Sequence, residues 1–190
     1  LAWAGASSRP RYFQLRGIGE LEQYQGAPNP SIGFLVDEID FSGIGMIASL
    51  FDVEQIEVLR GPQGTRYGAN ALGGLIKVKT REPVAERSLD TELSVGDDDL
   101  WSAGAATGGA LAASGALAGA WRAVLQHSAS DGFRANRYLG RDDTNARDET
   151  TARLRIRLGQ DAPWRADLAL LYADFDNGYD TFAIDNGLTT

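Results

Sequence analysis

Few residues in this chain of 190 could do covalent chemistry. There is no cysteine, which excludes disulfides, thiolate zinc sites and cysteine nucleophiles. The single histidine, His127, has no acidic neighbour in sequence to orient it as a base, so it reads as a strand-end or interfacial residue. Gly43-Ile44-Gly45-Met46-Ile47-Ala48 matches the dinucleotide fingerprint G-x-G-x-x-A and follows an apolar strand. The next strand is under way by Ile56, however, leaving about two helical turns where a βαβ unit needs about 30 residues. Gly61-Pro62-Gln63-Gly64-Thr65 looks like a phosphate cradle but lacks the Gly-Lys-Ser/Thr that ends a P-loop. Asp97-Asp98-Asp99 could gather a calcium ion, although successive carboxylates on an exposed turn are ordinarily just hydrated. No catalytic constellation emerges. The chain is not expected to be an enzyme, and neither a metal site nor a cofactor is expected.

Composition narrows the partners. With 18 Lys+Arg against 26 Asp+Glu the net charge is −8, and no basic cluster stands out. Nucleic acid is therefore excluded as a partner, because phosphate neutralisation needs concentrated positive charge. A hydrophobic content of 43% is enough for a core, and 23 glycines favour turns and β structure over a helical bundle. Charge is uneven: residues 1–84 carry net −1 and residues 85–190 carry net −7. A domain boundary is expected near Glu82-Pro83, giving units of 1–83 and 84–190. The start, Leu1-Ala2-Trp3-Ala4-Gly5, lacks the basic then apolar pattern of a secretory signal, so any export signal is expected to lie outside this chain or to have been removed.

The elements that would position side chains fall into two regimes. Up to about residue 83, short strands alternate with glycine-rich loops. Strands are expected over Tyr12–Arg16, Ile32–Phe41, Ile56–Leu59 and Leu75–Lys79, the second buried on both faces because its apolar run is continuous. Gly26-Ala27-Pro28-Asn29-Pro30-Ser31 must be a loop, and Met46–Phe51 is expected to form a short helix. This is a small mixed α/β unit.

Beyond residue 84 the pattern becomes longer alternation. Candidate strands are Leu89–Val95, Leu100–Gly109, Leu117–Ser128, Ala152–Leu158 and Trp164–Tyr172. The clearest is Ala152-Arg153-Leu154-Arg155-Ile156-Arg157-Leu158, with three arginines on one face and aliphatics on the other. Leu100–Trp121 holds no charge over 22 residues and invites a transmembrane-helix reading. Its nine alanines and five glycines, with Gly108-Gly109 adjacent, suit a hairpin better, since each glycine weakens a helix by about 1 kcal/mol. Short turns alternate with acidic or long loops, the longest from Asp131 to Asp148. Antiparallel transmembrane barrels have this arrangement. One strand face would meet lipid and the other a wet lumen, with Trp121, Trp164 and Tyr172 near the aromatic girdles.

The run from Phe51-Asp52-Val53-Glu54-Gln55-Ile56-Glu57-Val58-Leu59-Arg60-Gly61-Pro62-Gln63-Gly64-Thr65-Arg66-Tyr67-Gly68 to Lys79-Thr80 closely resembles the plug domain of TonB-dependent outer-membrane receptors. Phe13-Gln14-Leu15-Arg16-Gly17-Ile18-Gly19 is similar to the family's earlier plug strand with its Arg-Gly pair. Phe34-Leu35-Val36-Asp37 resembles the strand that follows, with Glu38 where glycine is commoner. Asp131-Gly132-Phe133 and Arg141-Asp142-Asp143-Thr144-Asn145 look like early barrel loops of the family, so the likeness covers nearly the whole chain.

This resemblance implies a fold: an α+β plug followed by the first about five strands of an antiparallel transmembrane β-barrel of about 22 strands, in the outer membrane of a Gram-negative bacterium. It implies a fragment that begins mid-plug, because five strands leave an unpaired edge that hydrocarbon does not tolerate. It also implies a function: energised uptake of a scarce nutrient, a ferric siderophore or other iron complex foremost, driven by TonB through an N-terminal box absent from this chain. The alternatives are a corrinoid or glycan as cargo, a signal-transducing receptor, and a soluble β-rich binding protein. Ligand contacts are expected at Tyr24, Gln25, Phe41, Ser42, Arg66 and Tyr67. Arg16 and Arg60, at the family's Arg-Gly positions, are expected to face barrel carboxylates. Outer-membrane lipid is the expected neighbour of the strands' apolar face.

Overall fold

A computed structural model describes residues 1–4, 9–20, 30–45, 47, 49–112, 114–115, 117–136 and 140–178. Near the start, β1 (Ala2–Ala4) and β2 (Tyr12–Gln14) pair antiparallel. Then come β3 (Ile32–Val36), β4 (Ile39–Asp40), β5 (Val53–Arg60), the single-turn α1 (Gly64–Tyr67) and β6 (Gly74–Thr80). These strands form one four-stranded sheet in the order β4-β3-β6-β5, with β3 parallel to β6 and the other pairs antiparallel.

The expected strand from Ile32 to Phe41 is corrected to a strand, a turn and a two-residue strand. Asp37 breaks it by adopting φ 53° in the left-handed region. Its carboxylate compensates by accepting the Thr80 N–H at 2.8 Å and the Thr80 hydroxyl. The burial expectation holds for β3 itself, which is buried at all five positions. Ile32, Phe34 and Val36 join Phe13, Leu15, Ile76 and Val78 in one core, with Phe13 stacked on Phe34 at 5.2 Å between centroids. Leu35, Ala71 and Leu75 form a second core, against which Leu59 and Tyr67 pack. The expected helix over Met46–Phe51 is not formed at its described residues, Ile47 and Ser49–Phe51.

Thr80 leads through an extended segment to a second sheet. It contains β7 (Ser88–Val95), β8 (Trp101–Ala112), β9 (Gly119–Ser130), β12 (Arg147–Leu158) and β13 (Ala166–Asn177), all antiparallel in the order β13-β12-β9-β8-β7. The uncharged stretch after Leu100 is therefore a hairpin. Between β9 and β12 a small hairpin, β10 (Arg134–Asn136) with β11 (Arg141–Thr144), occupies part of the expected long loop, and β12 starts at Arg147 rather than near Ala152. Among the described residues no helix is long and apolar enough to cross a membrane, a statement that does not touch strands.

Register fixes which side chains share a face. Arg153 pairs with Val124 and Leu171, and Arg155 with Arg122 and Ala169. Leu154 pairs with Ala123 and Leu170, and Ile156 with Trp121 and Leu168. Extending this to β8 and β7 puts Ser88, Asp90, Gly104, Ala106 and Gly108 on the arginine face, and Leu89, Leu93, Val95 and Trp101 on the aliphatic face. Leu93 and Val95 are 77% and 79% exposed, whereas Arg122 and Arg153 are 4% and 7% exposed. The usual order is inverted: the charged face is the covered one.

Candidate functional site

What covers the arginine face is the four-stranded unit. Asp52, just ahead of β5, is the centre of the contact. Its φ of 62° aims the carboxylate across to the strands. Arg122 donates to it from Nε, at 2.9 Å to Oδ2 and 3.1 Å to Oδ1, and also from Nη2. Arg153 Nη2 donates to Oδ2 at 3.1 Å and to the Asp52 carbonyl at 3.2 Å. Arg122 is further held by Ser88 Oγ at 3.0 Å and Asp90 Oδ2 at 2.8 Å. One buried carboxylate is thus shared by two buried guanidiniums, and Asp90 of β7 supplies a second negative charge to Arg122. Such an arrangement is tolerable only while every member is paired.

The contact continues along β12. Arg155 Nη1 donates to Thr80 Oγ1 at 3.0 Å and the Thr80 carbonyl at 3.2 Å, with Asp37 Oδ1 at 3.4 Å. Arg157 Nη1 reaches Glu82 Oε2 at 2.9 Å while its Nε donates to Asp167 at 2.8 Å. The hydrogen bond from Arg157 is the main reason the Glu82 carboxyl is held below its ordinary pKa. Phe51 sits directly over Gly104 of β8, where an added Cβ would come within 3.0 Å of its ring. Here glycine is required for close approach between two units. Towards the other end of β12, Arg9 lies over the Phe175 ring at 4.2 Å and 3.2 Å from Glu149, an ion pair by distance rather than an aligned hydrogen bond.

The expected site residues are placed as follows. Tyr24 and Gln25 lie outside the described residues. Phe41 packs against the first core, and Ser42 Oγ accepts the Phe34 N–H at 2.9 Å. Arg66 is exposed, with its guanidinium 5.2 Å from the ring centre of Tyr67. Lys77 lies 5.9 Å from the same ring, and its hydrogen bond to Glu38 raises its pKa. Asn70 Nδ2 donates to Asp40 Oδ2 at 2.9 Å, bringing the Phe41–Ser42 and Arg66–Tyr67 segments into one neighbourhood. Arg16 and Arg60 are exposed and form no ion pair among the described residues. The ion pairs between the units run in both directions: Arg122, Arg153, Arg155 and Arg157 of the strands reach carboxylates of the first unit, while Arg9 and Arg81 of the first unit reach Glu149 and Asp90 of the strands. Sequence reading missed Asp52, Asp37 and Arg122. The available signal was the arginine alternation in β12, which demanded acidic partners.

Other motifs resolve into structure. Gly61 and Gln63 N–H groups donate to the carbonyls of Gly73 and Ala71, so this turn spends its amides on the loop rather than on a phosphate. Gly43 carbonyl accepts from Arg11 Nε, and no helix follows at the described residues. His127 does have an acidic neighbour after all, supplied by pairing: Asp148 of β12 at 3.7 Å, beside Thr150 Oγ1 at 2.9 Å. It also leans on Trp101 at 4.9 Å on the aliphatic face. Among the described residues no group of three or more acidic or histidine side chains could hold a metal.

Comparison with known proteins agrees with this geometry. Residues 3–75 match the TonB-dependent Receptor Plug Domain family. The pesticin receptor of Yersinia pestis is 30% identical over 158 residues, which is 83% of this chain and 23% of that protein. A vitamin B12 transporter of Vibrio vulnificus is 33% identical over 125 residues, 65% of this chain and 19% of that protein. The crystal structure of the ferric yersiniabactin uptake receptor of Yersinia pestis superposes with a TM-score of 0.65 at 30% identity, covering 74% of this chain and 22% of that one. The chain therefore spans less than a quarter of the length of the relatives it matches.

Proposed function

The chain belongs to the TonB-dependent receptors of the outer membrane, and from that premise we propose that it serves energised uptake of a ferric siderophore or other iron complex. In this reading residues 1–83 are plug and residues 84–190 are the opening strands of the barrel that encloses it. TonB is the partner that supplies work, and the protein carries solute rather than converting it. The observation that carries the reading is the inverted sheet. Its aliphatic face is bare, and its arginines are buried against Asp52, Asp37 and Glu82 of the plug. A soluble domain would bury the leucines instead.

The turns orient the sheet. The β8–β9 and β12–β13 connections at one end are both short, as periplasmic turns are, while the other end carries the short β7–β8 turn and the long connection containing β10 and β11, and the long connection supports reading that end as the outer one. The end of the plug bearing Asp52 and Thr80 then faces the periplasm. The end bearing α1 faces outward with Phe41, Ser42, Arg66 and Tyr67, and the ligand contacts are assigned to these together with Tyr24 and Gln25. Full-length receptor expressed in a strain lacking its own iron-complex receptors should take up ⁵⁵Fe supplied as ferric yersiniabactin, and only when TonB is present. Uptake of labelled vitamin B12 in place of iron would move the cargo to the corrinoid class, which the Vibrio relative favours. Uptake of neither, with an intact receptor at the surface, would sink the transport reading.

A further inference from the structure

The Phe41–Ser42 segment and the Arg66–Tyr67 turn are distant in sequence, yet one side-chain bond joins their neighbourhoods. Asn70 Nδ2 donates to Asp40 Oδ2 at 2.9 Å across 30 residues. The other carboxylate oxygen of Asp40 accepts the Ser42 N–H at 2.7 Å. Ser42 Oγ accepts the Phe34 N–H, and the Phe41 N–H donates to the Phe34 carbonyl at 2.9 Å. Residues 40–42 are thereby fixed to β3, and Asn70 fixes Asp40 to the connection between α1 and β6. That connection is itself pressed onto β3, because an added Cβ on Gly33 would lie 2.9 Å from the Asn70 carbonyl oxygen. Burial works to raise the pKa of Asp40, but the hydrogen bonds from Ser42 and Asn70 prevail and lower it. The acceptor in the bond is thus a charged carboxylate, which strengthens it.

We propose that Asp40 and Asn70 form a buckle that sets the spacing between the Phe41–Ser42 and Arg66–Tyr67 segments before ligand arrives, and so positions the outward edge of the plug for binding. This inference rests on reading those segments as ligand contacts. A ligand that must touch both loses less ordering entropy on binding when they are already tied, which is the general advantage of preorganisation. Both are positioning residues that act through Phe41, Ser42, Arg66 and Tyr67. The chemistry of the pair dictates an unusual rescue. Asp at position 70 opposite Asp40 sets two carboxylates against each other. Asn at position 40 opposite Asp at 70 restores both bonds, since the Asn carbonyl still accepts from the Ser42 N–H while its amide donates to the new carboxylate.

The test uses full-length receptor in lipid vesicles, with nitroxide labels on Ile39→Cys and Thr65→Cys, both exposed positions. Pulsed electron double resonance should give one narrow distance in the parent, a broadened distribution in Asn70→Asp, and a narrow one again in Asp40→Asn/Asn70→Asp. In parallel, Kd for ferric yersiniabactin should rise about tenfold in Asn70→Asp and return to within about threefold of the parent in the double variant. An unchanged distribution in Asn70→Asp, or a double variant that stays broad, overturns the buckle. A disturbed distribution with unchanged affinity overturns its role in binding. If the distances respond as expected but the unlabelled parent binds neither ferric yersiniabactin nor vitamin B12, the failure lies with the ligand reading, and the positioning role falls with it.

Discussion

In the four-stranded sheet every residue of β3 is buried and the core clusters are aromatic and aliphatic, with Thr80 of β6 a buried polar residue beside them. In the five-stranded sheet Leu89 and Leu93 of β7 and Leu168 and Leu170 of β13 are exposed while Arg122 and Arg153 are buried. Both sheets obey the same two-residue alternation. They differ in what each face touches. In the plug sheet β3 is covered on both faces by its own unit, so burial there selects apolar residues. The barrel sheet has the plug on one side and, on the proposed reading, lipid on the other, so its apolar residues go outward and its inner face needs a partner that is polar and correctly charged. Alternation alone, therefore, specifies two faces without saying which is inside.

The largest effect should come from removing the charge on which the inner face depends. Asp52→Asn keeps the size and tolerates the left-handed backbone, but removes the carboxylate that Arg122 and Arg153 share, leaving Arg122 only Asp90. Breaking a buried ion cluster in this way costs about 3–5 kcal/mol. Urea unfolding of the plug within the full-length receptor should show the loss, along with tryptic cleavage in the plug. Replacing both arginines by methionine in the Asp52→Asn background should recover most of it. A stability unchanged by Asp52→Asn alone would mean that the two units do not depend on this contact.

Next in size is a substitution on the opposite face. Leu170 is 54% exposed and pairs with Leu154 near mid-strand. In water, Leu170→Arg would fall within about 0.5 kcal/mol of neutral. Against lipid it should cost about 2–4 kcal/mol, read from the folding equilibrium of the full receptor in vesicles. A neutral result would abolish the distinction between the two sheets. Smaller again is Gly104→Val, which forces Phe51 off β8 and should cost about 1–3 kcal/mol by overpacking. Phe51→Ala in the same chain should relieve most of that strain, since the clash is with the ring.

How much of this was legible beforehand differs between the sheets for the same physical reason. The strands of the second sheet were readable because Arg153, Arg155 and Arg157 alternate with Leu154, Ile156 and Leu158, and period-two patterning is a local signal. Strand ends were less so: β12 starts at Arg147, since Asp148 and Glu149 carry no apolar alternation but are held by the ladder to β9. In the first sheet, Ile32–Phe41 read as one strand because its apolar run hides the turn. Asp37 turns the chain only because its carboxylate meets Thr80, 43 residues away. The contact between units was least legible. Arginines in β12 implied acidic partners, but nothing local marks Asp52 among nine acidic residues of the first 84. Only the folded register brings Arg122 and Arg153 to the same carboxylate. The resemblance directed attention to Arg16 and Arg60, whereas the described ion pairs of first-unit arginines with strand carboxylates are made by Arg9 and Arg81.

The smallest prediction concerns pH and tests where the contact becomes wet. Glu82 pairs with Arg157 at 2.9 Å, but its side chain is 42% exposed, unlike the enclosed carboxylate of Asp52. Hydrogen bonding to Arg157 lowers its pKa from an ordinary value of 4.5, against the opposing effect of burial. A carboxyl whose folded pKa is depressed stabilises the fold fully above the unfolded value, and the contribution disappears as pH falls through the lower folded value. The parent should therefore lose this increment only below about pH 4.5, and Glu82→Gln should flatten that part of the stability-against-pH curve. Because solvent screens the pair, the increment is expected to be about 0.2–1 kcal/mol and to shrink further in high salt. Melting temperatures of the parent and Glu82→Gln receptors across that range, at two ionic strengths, make the measurement. A larger, salt-insensitive difference would place Glu82 in the same dry contact as Asp52 and extend the buried seam from β9 to the end of β12.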